Sequence, residues 1–278
     1  MYNHSIKIFL YALAGLLVFG SSCEKAELYT YDHSANIYFD FTDSITGEYV
    51  DSITYTFAYD MTKAQDTVYI LTRLSGIRVD QTRYYTAYVD QDSSSAIAGE
   101  HYEPLQVQYP LQANIGWAYL PLIIYNTADL EGTTVSLIIK LKASDDFGIE
   151  NPDLIRAKVV FSARLEEPGW WNMWLGAYTR IKHQLFLLVT EQIELSTVGQ
   201  DAPKNLYFVN LLTMMLNNPV TWVANNPEKG YVLDPVTEGS TAAYHFYHVD
   251  NPARTILLRF NAAAGRYYFI DENGEEVR

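Results

Sequence analysis

The 278-residue sequence holds a single cysteine, Cys23, so no disulfide can form within the chain and no cysteine-rich metal knuckle exists. A fold of this length without a cross-link must be held by apolar burial. Cations are scarce as well: 19 Lys and Arg stand against 33 Asp and Glu, a formal charge of −14. So acidic a surface repels nucleic-acid backbones and anionic headgroups, which excludes both as expected partners. Readable catalytic patterns are also missing. There is no Gly-x-Ser-x-Gly elbow, no His-Glu-x-x-His helix, no phosphate loop and no dinucleotide fingerprint. No internal repeat or low-complexity tract is present, and no cofactor is expected.

What is there begins with a leader. Asn3, His4 and Lys7 make a short polar start, residues 8–19 (IFLYALAGLLVF) carry no charge, and Gly20, Ser21 and Ser22 are small. A run of that length suits a signal peptide's apolar region of about 7–15 residues; a membrane-crossing helix needs about 20. Residues 1–22 are therefore expected to be an export signal. The stretch 19–24 resembles the lipobox of bacterial lipoproteins, with Gly20 where leucine is usual. That resemblance implies cleavage before Cys23, acylation of its thiol, and anchorage at the outer membrane, facing the exterior or the periplasm. The competing reading is a secreted protein with a free thiol. Acyl chains contribute about 0.8 kcal/mol per buried CH₂, so several together anchor stably. Residues 23–35 would then be the tether.

Residues 36–165 read as short strands. Ile37, Phe39 and Phe41 alternate with polar neighbours, as do Tyr55, Phe57 and Tyr59, and Val68, Ile70, Thr72 and Leu74. Residues 83–89, 117–124, 135–141 and 159–165 complete the set. A period of two turns one face of each strand to a shared core and predicts a two-sheet sandwich. Residues 166–278 change pattern and predict a smaller α+β domain. Leu175, Tyr178, Ile181 and Leu185 fall at helical spacing, and 205–216 predicts a second helix with Pro203 near its start. Strands follow at 244–249, 255–260 and 267–270.

Two resemblances sharpen this. The loop 95–104 (SAIAGEHYEP), followed by 133–144 (TTVSLIIKLKAS), looks like the Calx-beta type of immunoglobulin-like sandwich over about 67–162. The resemblance implies a mainly β fold, and in that family acidic residues of the stretch matching 125–132 bind calcium. Here only Asp129 and Glu131 are carboxylates, so no calcium site is carried over. The chain also resembles uncharacterised surface lipoproteins of Bacteroidota. The matching features are Cys23, Gly99-Glu100-His101-Tyr102, Asp146-Phe147-Gly148, Pro168-Gly169-Trp170-Trp171 and Leu175-Gly176-Ala177-Tyr178. This implies fold and address, and no reaction.

Several residues invite chemistry. Trp170, Trp171 and Trp174 are either a stacking platform for sugar rings or a plug for the seam between the domains, and their place at the junction favours the plug. Tyr84, Tyr85 and Tyr88 are a second glycan-facing set, weighed against sheet packing. Asp90-Gln91-Asp92-Ser93-Ser94 begins like an EF-hand but has Ser95 and His101 where glycine and glutamate are required, leaving a non-standard cation site or a solvated loop tip. His245 and His248 are three apart on a strand and face opposite ways. His101 lies between Glu100 and Glu103 and is expected to close its loop with a hydrogen bond rather than serve as a ligand or base. Glu166 and Glu167 lack a partner across a cleft for glycosidase chemistry. The expected role is non-catalytic binding or scaffolding, accessory to outer-membrane uptake of glycans or peptides, with transporter components as partners. A carboxylate-based hydrolase and a structural or adhesion component are the alternatives.

Overall fold

Alternating apolar side chains decide the first two sheets of the computed structural model, which describes residues 35–43 and 45–278. The leader, Cys23 and the tether up to residue 34 lie outside the described residues. Eight strands come first: β1 (Asn36–Phe39), β2 (Ile53–Thr56), β3 (Gln65–Ser75), β4 (Arg83–Val89), β5 (Tyr109–Leu111), β6 (Trp117–Tyr125), β7 (Thr134–Lys142) and β8 (Arg156–Ser162). One sheet has the order β1-β3-β6 and is antiparallel; the other runs β2-β8-β7-β4-β5, with only the β2-β8 pair parallel. Core-facing residues meet in register, Ile70 opposite Leu120 and Val68 opposite Leu122 in the first sheet, Leu137 opposite Val159 in the second. The inner faces share one apolar core that includes Ile37, Phe39, Leu120, Ile139 and Phe161, all essentially buried. The fold is mainly β, a two-sheet sandwich.

The remainder mixes helices and strands. It holds α1 (Trp171–Trp174), α2 (Arg180–Thr190), α3 (Ala202–Asn217) and α4 (Pro219–Asn225), then β9 (Tyr231–Pro235), β10 (Ala243–His248), β11 (Ile256–Asn261) and β12 (Arg266–Phe269). These last four form an antiparallel sheet in the order β12-β11-β10-β9. The helix expected within 170–194 is two helices, because Gly176 takes a left-handed φ of 68° between them. Thr179 caps α2 by accepting from the Lys182 amide at 3.2 Å. The Glu272 carboxylate, from the far end of the chain, accepts from the amides of Arg180 at 2.6 Å and Ile181 at 3.2 Å. A negative charge there satisfies free N–H groups at the positive end of the helix. A second core gathers Trp171, Leu185, Phe186, Leu212, Phe246 and Phe269. The first core ends in sequence at Ala163 and the second begins at Trp170, although residues 35–278 together form one compact unit. Among the described residues no helix is long and apolar enough to cross a membrane.

The junction tryptophans correct an expectation. Trp170 and Trp171 do not offer rings to a sugar. Trp171 is fully buried and Trp170 nearly so, packed with Tyr178, His183 and Phe186 inside the second core. Trp174 is half-buried beside them. Burial holds His183 neutral, its pKa pushed down to about 4, with Nε2 lacking any partner.

Polar contacts cross the seam beside Met61, which packs on the second core. Glu131 sits in a 3-10 turn (Ala128–Glu131) of the sandwich and accepts from Arg180 at 3.0 Å, Arg254 at 2.6 Å and the Gln184 amide at 2.8 Å. Arg254 also donates to the Thr127 carbonyl at 3.0 Å. The Asn251 amide reaches the Met61 and Lys63 carbonyls at 3.0 and 3.1 Å, and Tyr178 Oη donates to the Leu165 carbonyl at 3.1 Å.

Two outcomes follow for stability. Glu131→Ala strands two shielded guanidinium groups and should lower unfolding free energy by about 3 kcal/mol, read from urea midpoints, whereas Glu166→Ala on an exposed pair should change it by under about 0.5 kcal/mol. An unchanged midpoint in the first variant would show the clasp to be dispensable. For His183 the folded pKa lies below the ordinary 6.5, so below that value the unfolded chain binds a proton that the folded chain refuses. Stability contributed by neutral His183 is therefore complete above about pH 6.5 and is lost as pH falls toward 4, by about 3 kcal/mol. The slope of midpoint against pH over that window should flatten in His183→Phe.

Candidate functional site

Helices α2, α3 and α4 enclose a groove of about 540 Å³. Its floor is apolar, built from Val189 of α2, Leu211 of α3 and the half-buried Trp222 of α4. The rim is amide. An Asn-Asn-Pro triplet precedes α4 at 217–219 and another follows it at 225–227, and all four asparagines line the groove. Each proline starts a short helical turn with its fixed φ, so each pair of asparagines stands at a helix edge. Asn217 Oδ1 accepts from Arg266 at 2.9 Å and Asn226 Nδ2 donates to the Trp222 carbonyl at 2.7 Å, which fixes two of the amides. Among the described residues the amides of Asn218 and Asn225 make no hydrogen bond and remain exposed. An aromatic floor beneath free amides and hydroxyls (Thr221 also lines it) is the chemistry that receives a sugar ring: its C–H face packs on the indole while amides bond the hydroxyls.

A second surface is flat. The outer face of the β1-β3-β6 sheet carries Tyr69, Trp117 and Tyr119, which are 62%, 49% and 50% exposed. Their rings meet edge to face, Tyr69 with Tyr119 at 5.9 Å and Trp117 with Tyr119 at 5.6 Å. Arg73, opposite Trp117 in register, is paired with Asp40. Of the tyrosines expected on a glycan-facing sheet, Tyr84 and Tyr88 are exposed on β4, but Tyr85 is fully buried. Strand alternation turns Tyr85 inward to stack on Tyr109 at 5.6 Å, and burial raises its pKa to about 12.

Cation sites fare differently. His101 Nδ1 accepts from the Ile97 amide at 2.9 Å, so the ring proton sits on Nε2, which donates to Asp129 at 2.9 Å. Ligand atoms of Glu100, His101 and Asp129 lie within 4.8 Å of one another. A metal on Nε2 would need the proton moved to Nδ1, where the Ile97 N–H already points. These bonds close the loop. Asp90 is held by Lys140 at 2.7 Å and by the Ser93 hydroxyl at 2.9 Å, which lower its pKa. Both carboxylates of the calcium-like stretch are likewise committed, Asp129 to His101 and Glu131 to the seam.

No carboxylate lines the groove. A smaller cleft of about 340 Å³, between Tyr59, Asp60 and Met61 of the sandwich and the end of α2, does contain Asp60 and Glu191. Glu191 is ion-paired with Lys229, which lowers its pKa and leaves it ionised, the wrong state for a general acid. His245 and His248 lie three apart on β10, His248 with Nδ1 accepting from the Asp250 amide at 3.1 Å.

Comparison with solved structures gives distant likenesses. No curated protein matches the sequence. CBD12 from CALX1.2 is 12% identical with a TM-score of 0.32, over 46% of this chain and 43% of that one. A protein described as a putative carbohydrate binding protein from Bacteroides ovatus ATCC 8483 is 12% identical with a TM-score of 0.34, over 47% and 38%. A protein of unknown function from Bacteroides ovatus is 13% identical with a TM-score of 0.35, over 81% and 65%. The chain thus spans less than two thirds of each of these proteins, and likenesses of this order carry no argument about function. Residues 31–192, by contrast, match a family model across the sandwich and the whole of α2. The chain belongs to the family described as Domain of unknown function (DUF4843).

Proposed function

We propose that the protein is a non-catalytic glycan-binding protein of the bacterial surface, held to the outer membrane by lipid on Cys23 and serving an uptake system. The observation that carries the binding role is the groove: the Trp222 floor under the unengaged amides of Asn218 and Asn225. Its concavity distinguishes it from the flat aromatic sheet, because a groove buries more of a ligand and excludes more water. The absence of any acid along the groove wall accords with holding a sugar chain rather than cutting it.

The exposed trio Tyr69, Trp117 and Tyr119 favours a second role beside the first. Tryptophan and tyrosine dominate protein interfaces, and this face is where a transporter component or another envelope protein would dock.

A polysaccharide panel run by affinity gel, followed by calorimetry, tests the groove. One glycan class should retard the protein, and Trp222→Ala should weaken that binding roughly tenfold or more. Retention of affinity in Trp222→Ala, with loss in Trp117→Ala, would move the site to the sheet. Mass spectrometry of the protein isolated from its own membranes tests the anchor: the amino terminus should be an acylated Cys23, and an intact leader would overturn it.

A further inference from the structure

A second pocket adjoins the groove at Asn217, which lines both. It has a volume of about 300 Å³ and is walled by Trp174, Leu175, Lys182, Leu216, Arg266 and Tyr268 among others. Its charged residues, Lys182, Arg266 and Arg278, are all basic. That is unexpected in a chain with 33 acidic residues and 19 basic ones. The nearby Glu276 is already committed, accepting from Arg278 at 2.9 Å and from the Asn261 amide at 2.6 Å.

The pocket also holds donors without acceptors. Lys182 is 9% exposed, and its Nζ donates to the Leu175 carbonyl at 2.6 Å. An ammonium has three N–H groups, and among the described residues no carboxylate and no second acceptor meets the other two. Burial alone pushes the Lys182 pKa below the usual lysine value. The Trp174 indole N–H is buried with no partner at all. Arg266 is fixed in place, lying 4.4 Å over the Tyr268 ring, with Nε donating to Tyr268 Oη at 2.6 Å and Nη1 to Asn217 Oδ1 at 2.9 Å. A buried cation short of acceptors and a buried indole N–H with none, on two residues that wall the same pocket, are costly unless something negative completes them.

We propose that this pocket binds a small oxyanion group, a carboxylate or a sulfate such as an acidic sugar carries, through Lys182 Nζ, the Trp174 indole N–H and Arg266. The site stands on its own donors and does not depend on the groove receiving a glycan. An oxyanion accepts several hydrogen bonds at once, and charge-assisted bonds from lysine and arginine are the strong ones. Binding would keep Lys182 charged in a setting that otherwise disfavours its charge.

The test uses the full-length chain labelled with ¹⁵N. Five tryptophans give five indole N–H resonances, and Trp174→Phe identifies one of them. Titration is made at matched ionic strength with sodium sulfate, sodium glucuronate, glucose and sodium chloride. Sulfate or glucuronate should shift the Trp174 resonance saturably, while glucose and chloride leave it in place. Response to sulfate alone assigns a sulfated ligand class, and response to glucuronate alone assigns a uronate. Lys182→Met should weaken the responding anion about tenfold or more. Arg266→Gln gives the same readout should that variant fail to fold. The proposal is overturned if neither anion moves the resonance, or if the variant that folds binds as tightly as the wild-type chain.

Discussion

Glu131 is the hinge point of the arrangement, in the sense that one carboxylate organises groups from both cores. It belongs to a short turn at the edge of the sandwich, and two arginines and a glutamine from the other core converge on it. Arg180 and Gln184 lie on α2, so the contact fixes both the position and the rotation of that helix. The same helix delivers Leu185 and Phe186 to the second core and Val189 to the groove floor. The family match ends two residues beyond α2. The matched stretch thus contains the carboxylate and two of its three partners, and what lies beyond adds α3 and α4, which close the groove against α2.

Much of the sandwich was readable because its strands alternate cleanly. Residues 117–125 expose Trp117 and Tyr119 while Leu120, Leu122 and Ile124 turn inward, as a period of two demands. β5 escaped, since Tyr109-Pro110-Leu111 is too short for a period and contains the residue least compatible with a ladder. Tyr85 could have been assigned correctly: it shares parity with Ala87, whereas Tyr84 and Tyr88 share the opposite parity. The tryptophan cluster could not, because local density of aromatic residues says nothing about which way they point. The Asn-Asn-Pro triplets on either side of Trp222 mark helix boundaries, the first ending the helix expected over 205–216, but they do not say that the indole between them lines a groove. The Glu131 contact is invisible in the sequence, its arginine partner Arg254 lying 123 positions away.

The stretch 125–132 illustrates how acidic residues can serve the fold itself. Its two carboxylates point away from any shared cation and serve internal needs instead. Asp129 accepts from the loop histidine, and its pKa is lowered against the opposing effect of burial by the Thr127 hydroxyl and His101. Glu131 serves the seam. A cation is one way to satisfy a pair of acids at the end of a sandwich; in this chain a histidine N–H serves one and two arginines serve the other.

For a chain tethered through its amino end, the seam acquires a mechanical meaning. If the proposed anchor and ligand are both in place, a polymer held between α2, α3 and α4 would pull on the carboxyl-terminal part while the anchor holds the sandwich. Tension then runs through the backbone between Leu165 and Trp170 and, in parallel, through the Glu131 contacts and the Asn251 amide. Polar links of this kind yield a bond at a time and re-form in water, unlike a continuous apolar interface. A chain loaded as proposed would give at the seam and recover, with both cores intact.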